Sequence, residues 1–275
     1  MAAGGAAKRG YQGGKLRLVT WNVNSITARL DFVLDFLQAR RPDVVCLQEL
    51  KVDDDAFPRI AFAQAGYACA THGQKQWNGV GVLVRKEAGP GPEIVQAGLV
   101  GQEAAGGRLL TVRALGLTIT SVYVPNGKSV RHPDFALKLA WLDALAGYTE
   151  TLARAGASVV AGDFNLCPGD LDTWDPVGHA GHIFHTEEER SRFQRLLGQG
   201  YTDLFRDKLP DERVFSWWDY RAGSFHKKQG LRIDLVLGTA DVAKRTTGAS
   251  VDRDFRKKRE GRVPSDHAPV IVEIE

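Results

Sequence analysis

Short apolar segments alternate with amphipathic segments along the chain from Leu16 onward. Apolar runs of this length bounded by turn residues are typical of buried strands. We predict strands over residues 16–21, 43–47, 79–85, 108–115, 117–124, 157–161, 232–237 and 268–274. Little more than Gly116 separates two of these segments, 108–115 and 117–124, so they are predicted to form a hairpin.

Two segments have the apolar spacing of helices. The first follows Ser25, a suitable N-cap, and ends before Pro42, because the residue before a proline is disfavoured in the α region. Its apolar positions are Ile26, Leu30, Val33, Leu34 and Leu37. The second ends at Gly156, and its predicted buried face consists of Phe135, Leu139, Leu142, Ala146 and Leu152. Hairpins mixed with strand–helix–strand units predict mixed sheets with helices outside.

Composition narrows the class of protein. Of 275 residues, 43% are hydrophobic and 25% are charged, which is ordinary for a globular protein and excludes collagen-like, coiled-coil and wholly disordered classes. No apolar run approaches the roughly 18 residues that span a bilayer, so no membrane partner is expected. The three cysteines form no CxxC pair, and their odd number indicates a reducing, cytoplasmic location.

The chain ends and the charge balance add two expectations. Residues 1–15 are rich in Gly and Ala and lack the apolar core of a secretory signal, so we expect a disordered tail there. Nothing divides residues 16–275, which predicts a single domain. The 36 basic and 33 acidic residues give a net charge of +3, which permits a polyanionic partner without establishing one.

Polar side chains cluster where the predicted strands end, and such strand ends commonly build the sites of open α/β sheets. The residues in question are Asn22, Glu49, Tyr123, Asn126, Asp163, Asn165, Asp234, Asp266 and His267. Asp163 and Asn165 could equally be turn residues, because GDFN is favourable turn chemistry. Asp234 interrupts a buried strand and needs a partner, for which His267 is the natural candidate.

Several carboxylates and amides with one histidine, and without a cysteine or multi-histidine cluster, suit a hard divalent cation better than zinc. Mg²⁺ binds one or two carboxylates and keeps water and phosphate oxygens as its other ligands. A metal beside a carboxylate that can orient water is the equipment of phosphoester hydrolysis.

Seven motifs resemble a known family. In chain order they are WNVNS (21–25), LQELK (47–51), YVPNG (123–127), GDFNLCPGDLD (162–172), FSWWDYR (215–221), GLRIDLVL (230–237) and SDHAPV (265–270). Together they resemble the exonuclease III branch of the apurinic/apyrimidinic (AP) endonucleases, within the endonuclease/exonuclease/phosphatase superfamily. GDxN and SDHxPV also occur in lipid and inositol phosphatases, whereas FSWWDYR followed by GLRID is more specific to DNA repair. The resemblance implies a four-layer α/β sandwich, with two packed mixed β-sheets and helices on both outer faces.

The resemblance also implies roles for the polar residues. Glu49 would be the main Mg²⁺ ligand, with Asn22 beside it and Asp266 in the metal region; Mn²⁺ is an alternative metal. Asp163 would activate the attacking water, and Asn165 would orient the scissile phosphate. His267, held by Asp234, would contact a non-bridging oxygen, and Tyr123 and Asn126 would contact the phosphate or the leaving group. The chain departs from the family at Leu50, where a threonine is usual, and at Leu231, where eukaryotic relatives commonly have tryptophan.

Further residues are candidates for contact with DNA. Trp217, Leu231 and Ile233 are predicted to form an apolar pocket for a base-free sugar, although Trp217 could instead belong to the core. Basic residues around the motifs are candidates for phosphate contacts, with solvated surface charge as the alternative; they are Lys228, Arg232, Arg256, Lys257 and Lys258. The spacing of His179, His182 and His185 allows a zinc interpretation, but no cysteine or carboxylate completes an orthodox ligand set. A variable loop near the DNA is the preferred interpretation.

The sequence therefore predicts a Mg²⁺-dependent AP endonuclease with 3′-phosphodiesterase and 3′→5′ exonuclease activity. Its expected partner is double-stranded DNA with abasic sites or blocked 3′ ends, and the expected state is a monomer that acts at the nucleoid. Two alternatives stay open. One is a lipid or inositol phosphatase of the same superfamily, and the other is a nucleic-acid-binding protein without catalysis.

Overall fold

The computed structural model describes residues 14–259 and 261–275. The prediction of a disordered tail falls almost entirely on residues outside that range. Among the described residues, no helix is both long enough and apolar enough to cross a membrane.

Two mixed sheets of six strands each form the centre of the molecule. Their strands are β1 (Leu16–Asn22), β2 (Val44–Gln48), β3 (Tyr67–His72), β4 (Val80–Arg85), β5 (Glu93–Ala97), β6 (Leu109–Ala114), β7 (Leu117–Tyr123), β8 (Ser158–Asp163), β9 (Tyr201–Asp203), β10 (Asp234–Thr239), β11 (Thr246–Val251) and β12 (Val270–Ile274). Sheet one has the order β11-β12-β1-β2-β4-β3, and sheet two has the order β5-β6-β7-β8-β10-β9. The pairs β1–β2 and β7–β8 are parallel, and the remaining neighbours are antiparallel.

Helices pack against both sheets. They are α1 (Ile26–Arg40), α2 (Arg59–Gln64), α3 (Pro133–Ala155), α4 (Glu187–Gly198), α5 (Leu204–Lys208) and α6 (Ala240–Arg245). Helices α1 and α2 cover the outer face of sheet one, α3 and α4 cover that of sheet two, and α5 and α6 add apolar residues to the layer between the sheets. The predicted start of α1 is confirmed, because the Ser25 hydroxyl accepts a hydrogen bond from the Ala28 amide. The helix ends at Arg40 and is followed by its C-cap, Arg41, which adopts a left-handed conformation before Pro42.

The apolar side chains form three layers, which confirms the predicted four-layer sandwich. One layer lies between the sheets, one lies between sheet one and α1 and α2, and one lies between sheet two and α3 and α4. The two-residue period of a strand explains this division. In β1, Leu16 and Leu18 point between the sheets, whereas Val19 and Trp21 pack beneath α1.

All eight predicted strands are present, with ends shifted by one or two residues. The hairpin between β6 and β7 is also confirmed, and Leu115 and Gly116 both have positive φ in its turn, as a two-residue hairpin turn demands. Four strands, β3, β5, β9 and β11, were not predicted. β5 is largely exposed and β9 has only three residues, so neither has the apolar run by which buried strands are recognised.

The predicted buried face of α3 is partly wrong. Leu142 and Ala146 are buried as expected, but Phe135, Leu139 and Leu152 are only half-buried. The residues that α3 buries are Lys138, Trp141, Leu142, Leu145, Ala146 and Thr149. The true face is therefore rotated by about one residue, and it includes a lysine that a hydrophobic pattern does not detect.

Strand alternation places polar residues at one end of the space between the sheets. Along β1 the inward positions are Leu16, Leu18, Thr20 and Asn22, so the apolar layer becomes polar toward the end of the strand. In β8 the inward residues Val159 and Ala161 are followed by Asp163. The two parallel strand pairs end on the same side, which brings these residues together.

Candidate active site

Three side chains from the two sheets form a compact central cluster. One ligand atom each of Glu49, Asp163 and His267 lies within 4.8 Å of the others. Asn22 connects two of them, because its Nδ2 donates to Glu49 Oε1 (2.8 Å) and to Asp163 Oδ2 (2.9 Å). Its Oδ1 accepts the Asn24 amide proton at 3.0 Å. Asn22 therefore orients the two carboxylates through its amide nitrogen.

Glu49 follows β2 and is held as an anion. Its backbone has a φ of 52°, and its Oε2 lies 2.8 Å from Lys51 Nζ. Burial alone would raise the pKa of Glu49, but the hydrogen bonds from Lys51 and Asn22 lower it below the usual value. Leu50, which stands where the family usually has threonine, is buried in the layer beneath α1, so its side chain belongs to the core and not to the site.

Asp163 ends β8 and has the properties of a proton acceptor near neutral pH. Its Oδ1 accepts the backbone amide proton of Asn165 at 2.9 Å. Burial and the nearby Asp234 carboxylate raise the pKa of Asp163 to about 7, and the favourable charge of His267 opposes that rise. The carboxyl group can therefore release and take up a proton under ordinary conditions.

The predicted contact between Asp234 and His267 is present. His267 Nδ1 lies 2.8 Å from Asp234 Oδ2, and the Ser216 hydroxyl donates to the same oxygen at 2.6 Å. Burial would lower the pKa of His267, but Asp234 outweighs it and raises the pKa to about 10. His267 Nε2 lies 3.8 Å from Asp163 Oδ2. The imidazole is thus cationic, and its Nε2 is directed toward Asp163.

Asp266 lies beside the central cluster and is connected to it by hydrogen bonds. Its Oδ2 accepts from Trp217 Nε1 and its Oδ1 accepts from Asn24 Nδ2, both at 3.0 Å. Asn24 Oδ1 in turn accepts from Lys51 Nζ at 2.6 Å, and Lys51 pairs with Glu49. This chain links the two acidic residues that the sequence assigned to the metal region.

Two asparagines and a tyrosine border the cluster on sheet two. Asn165 Nδ2 donates to the Val124 carbonyl oxygen at 2.9 Å, and Asn126 Nδ2 lies 3.5 Å from Asn165 Oδ1. Tyr123 ends β7, and the Arg108 guanidinium lies 4.6 Å from its ring centroid. Burial and the two carboxylates of the central cluster raise the pKa of Tyr123 well above its usual value. Tyr123 is therefore a neutral hydroxyl that can donate a hydrogen bond.

Four residues with no role predicted from the sequence lie in or beside the site. They are Asn24, Lys51, Arg108 and Ser216. Asn24, Lys51 and Ser216 all stand inside the quoted motifs, so the motifs were a sufficient signal for them. Arg108 had no such signal, because only strand pairing brings it against Tyr123.

The predicted apolar pocket is a compact wall. Leu231 and Ile233 are only 5% and 2% exposed, and they pack with Cys167, Phe184 and the half-buried Trp217. Trp217 and Leu231 also pair through two backbone hydrogen bonds of 2.9 Å. The three predicted residues therefore lie together, with Trp217 exposing part of its ring.

The prediction that Arg232 contacts DNA phosphate is wrong. Its side chain is fully buried, with Nε 2.6 Å from Asp172 and Nη2 2.8 Å from Asp203. An isolated buried charge is costly, and the two carboxylates satisfy this one from within the protein. Arg232 accordingly joins the end of β9 to the 170–172 turn.

The other basic candidates differ in exposure. Lys228, Lys257 and Lys258 are exposed, and Lys257 pairs with Asp254 at 2.6 Å. Arg256 is mostly buried, and it donates to two backbone carbonyl oxygens at 3.0 Å. The three lysines can meet a ligand from solution, whereas Arg256 chiefly supports the loop that carries them.

The histidine loop does not form a second metal group. The rings of His179 and His185 lie 4.9 Å apart, and His179 Nδ1 lies 3.0 Å from the Thr173 hydroxyl. Within residues 14–259 and 261–275, the central cluster is the one place where three side chains bring a histidine, cysteine or carboxylate ligand atom within 4.8 Å of one another. The zinc interpretation therefore finds no support in the described residues.

The fold and this donor set together define a class of protein. An anionic Glu49 provides a hard oxygen ligand of the kind that a divalent cation prefers, and it lies beside the buried Asp163 carboxyl group, an Asp234–His267 pair and a neutral tyrosine. A site of this kind defines a metal-dependent phosphodiester hydrolase.

The particular family follows from comparison with known proteins. The chain belongs to the endonuclease/exonuclease/phosphatase family, which matches residues 19–267. Exodeoxyribonuclease III of Haemophilus influenzae is 32% identical, over 94% of this chain and all of that protein. The 3′ phosphatase NExo from Neisseria, solved with a product DNA hairpin, is 36% identical, with a TM-score of 0.89 over 94% of this chain and 99% of that one.

An AP endonuclease from Archaeoglobus fulgidus is also similar in structure. It is 31% identical, with a TM-score of 0.89 over 94% of this chain and 99% of that one. These similarities confirm the predicted resemblance to the exonuclease III type of AP endonuclease and, with it, the prediction of a nuclease.

Proposed function

We propose that this protein is a DNA-repair nuclease that hydrolyses the phosphodiester bond 5′ to an abasic site in duplex DNA. It also removes blocking groups from 3′ ends and acts as a 3′→5′ exonuclease. The observation that carries the proposal is the approach of Glu49, Asp163 and His267 within 4.8 Å, beside the FSWWDYR and GLRID motifs. The names of the relatives, which include an exodeoxyribonuclease III and an AP endonuclease, agree with it.

The proposed metal is Mg²⁺, with Mn²⁺ as a substitute. Glu49 would hold it beside Asn22, and Asp266 would support the site through Asn24 and Lys51. When bound, the cation would neutralise phosphate charge and lower the pKa of a nearby water. The low pKa of Glu49 supports this assignment, because an ionised carboxylate is needed to balance the charge of the cation.

The proposed chemistry uses the remaining polar groups. Asp163 accepts the proton of the attacking water, for which a pKa of about 7 is well matched. Asn165 and Asn126 donate their amides to the scissile phosphate, and Tyr123 donates its hydroxyl to the phosphate or the leaving group. His267, kept cationic by Asp234, stabilises the charge that develops on a non-bridging oxygen.

Damage recognition is proposed to occur at the apolar wall. A sugar that lacks its base is less costly to rotate out of the helix, because less stacking is lost. Trp217, Leu231 and Ile233 would contact that sugar, and exposed Lys228, Lys257 and Lys258 would contact flanking phosphates. The protein would act as a monomer with one catalytic domain over 16–275, in the cytoplasm and on nucleoid DNA.

A second candidate is a nuclease that acts chiefly on 3′ ends. The observation in its favour is that Leu231 and Ile233 expose only 5% and 2% of their surface, which leaves little wall for an extrahelical sugar. NExo, at 36% identity, is described as a 3′ phosphatase. The two candidates share the same central cluster and differ in the preferred substrate.

One set of substrates tests both candidates. Three duplexes are compared: one with a single abasic site, one with a 3′-phosphate at a nick, and one undamaged. Cleavage at the abasic site that EDTA abolishes and Mg²⁺ restores is the expected result. Preferred release of the 3′-phosphate would favour the second candidate, and no metal-dependent cleavage of any DNA would refute both.

Glu49→Ala tests whether Glu49 is the principal ligand of the metal. The variant should fold normally and lose most activity, because no carboxylate remains there to balance the cation. Full activity at ordinary Mg²⁺ concentration would show that Glu49 is not the principal ligand.

A further inference from the structure

A fully buried ion pair lies between the helices that cover sheet two. Lys138 of α3 and Glu189 of α4 pair through Nζ and Oε1, and both side chains are 0% exposed. Buried ion pairs add little stability compared with apolar side chains of the same size. The proposed chemistry uses neither residue, so their placement has to be explained by what they contact.

Lys138 connects the two loops that carry the phosphate-facing asparagines. Its Nζ donates to the carbonyl oxygen of Asn165 at 2.6 Å and to that of Asn126 at 3.3 Å. With Glu189 as the third acceptor, all three protons of the ammonium group have partners. One buried cation therefore fixes both loops relative to the same helix.

Glu189 extends this connection to the apolar wall. Its Oε1 accepts the Phe184 amide proton at 3.1 Å, and its Oε2 accepts from the amide and the hydroxyl of Thr186 at 3.1 and 2.8 Å. Lys138 Nζ also lies 4.8 Å from the centre of the Phe184 ring. Phe184 packs against the cluster of Cys167, Leu231 and Ile233, so the pair also sets the position of the wall.

The loop after Asn126 is shaped to pass over Lys138. Gly127 has a φ of 84°, and a Cβ atom at that position would lie 3.0 Å from Lys138 Cδ. A side chain there would be strained in its backbone and crowded against the lysine. The glycine of YVPNG is therefore explained by the close approach of the loop to Lys138.

We propose that Lys138 and Glu189 are positioning residues that hold Asn126, Asn165 and the Phe184 wall in one fixed arrangement. Neither residue touches the reacting groups, and both act through the loops that they tie together. The inference rests on the proposed function of the central cluster, because it concerns how that site is aligned. Loss of the pair should affect the rate of the chemical step more than the binding of duplex DNA.

The first test compares Lys138→Met with Leu142→Ala. Leu142 is fully buried one turn further along α3 and belongs to the apolar layer between sheet two and its helices, so its variant controls for loss of stability. Lys138→Met should lower kcat by about 10²-fold, as expected for misplacement of a bound phosphate, and the single-turnover rate constant should fall equally. The KM for abasic duplex should change by less than about threefold. Leu142→Ala should melt earlier with kcat close to that of the unchanged protein.

A second variant separates positioning from the cost of an unpaired charge. Lys138→Met/Glu189→Gln leaves no buried charge, so its thermal stability should recover while its kcat stays low. Recovery of kcat together with stability, or a kcat for Lys138→Met equal to that of Leu142→Ala, would overturn the proposal. If the unchanged protein cleaves no DNA, the proposed function fails; if it cleaves and these variants behave like the control, only the positioning role fails.

Discussion

The burial of Asp163 has opposite effects on activity and on stability. Its pKa of about 7 in the folded protein exceeds the value near 3.9 of an exposed aspartate, so the folded state binds the proton more tightly than the unfolded state. Stability contributed by this group is therefore present at low pH and is lost as the pH rises from about 4 to 7. Above that range an ionised Asp163 weakens the metal-free fold.

Asp163→Asn should consequently be less active and more stable. It removes the proposed proton acceptor, for which we expect a rate loss of about 10² to 10⁴, and it removes the buried charge. In EDTA at pH 8 the variant should melt at a higher temperature than the unchanged protein, and this difference should vanish as the pH falls toward 4. Thermal unfolding across that pH range, together with single-turnover cleavage, checks both effects. A difference in melting temperature that does not vary with pH would contradict the argument.

Asp234 and His267 should behave as one unit. The 2.8 Å contact between them keeps the imidazole cationic and directed at Asp163, so removing either residue removes the same interaction. Rates for His267→Ala and for the double variant with Asp234→Ala should agree within about threefold, because residues that act together give non-additive losses. Single-turnover rates of both single variants and the double variant measure this. Additive losses would mean that Asp234 acts through Ser216 or another neighbour.

At the level of elements, the basic residues divide into those that hold the fold and those that face solution. Arg232 is enclosed by Asp172 and Asp203, whereas Lys257 and Lys258 are exposed on the segment before β12. Proximity along the chain to the GLRID and SDHAPV motifs suggested one role for all of them. Their burial in the folded protein shows that Arg232 belongs to the core, whereas the two lysines belong to the surface.

Arg232→Ala and the paired change Lys257→Ala/Lys258→Ala should therefore have different effects. Removing one partner of a buried pair costs about 3–5 kcal/mol, so Arg232→Ala should be strongly destabilised in urea unfolding. The lysine variant should melt normally but bind duplex DNA more weakly. The slope of the logarithm of its binding constant against the logarithm of salt concentration should become shallower by about 0.9 for each lost phosphate contact. Binding titrations at several salt concentrations check the second effect. Normal stability of Arg232→Ala would contradict the structural role of Arg232 and would favour the original prediction of a DNA contact.

The element pattern was predictable where strands are buried and was missed where they are not. β1, β2 and β8 are buried at nearly every residue and carry short apolar runs, and their boundaries were found within two residues. β5 is an exposed edge strand and β11 is only partly buried, so their sequences carry little apolar signal. Such strands form because a neighbouring strand offers backbone hydrogen bonds, which the local sequence does not encode.

At the scale of the whole molecule, a polar layer joins the two sheets just below the site. Gln48 Nε2 donates to the Thr20 hydroxyl of sheet one and to the Ser121 hydroxyl of sheet two, both at 3.1 Å. The Ser121 hydroxyl donates in turn to the Leu47 carbonyl oxygen at 3.2 Å. Because Glu49 follows sheet one and Asp163 ends a strand of sheet two, this layer sets the distance between them.

Gln48→Leu should test that connection between the sheets. Buried hydroxyls left without partners cost about 1–3 kcal/mol, and the loss of alignment should also weaken metal binding. Thr111→Val is the matched control, because it removes a buried hydroxyl bonded to Thr120 and Tyr148 on the outer face of sheet two. Urea unfolding should show both variants destabilised, and Mg²⁺ titration should show weaker binding for Gln48→Leu alone. Equal Mg²⁺ affinity in both variants would mean that the layer has no part in aligning the site.

The sequence by itself determined the family, the buried strands and most residues of the candidate site. It could do so because the motifs place polar groups directly after apolar strands, and because a buried Asp234 requires a partner such as His267. These are local requirements, and a short segment of chain is enough to express them.

The tertiary structure alone decided which charges are enclosed and which neighbours align the site. Arg232 was expected at the DNA surface and is buried instead, and Lys138 was hidden within the face of α3. Both depend on carboxylates that lie far away in the chain, at Asp203 and Glu189. The free energy of a buried charge depends on the groups packed around it from every side, and only the folded arrangement of the two sheets and their helices specifies those groups.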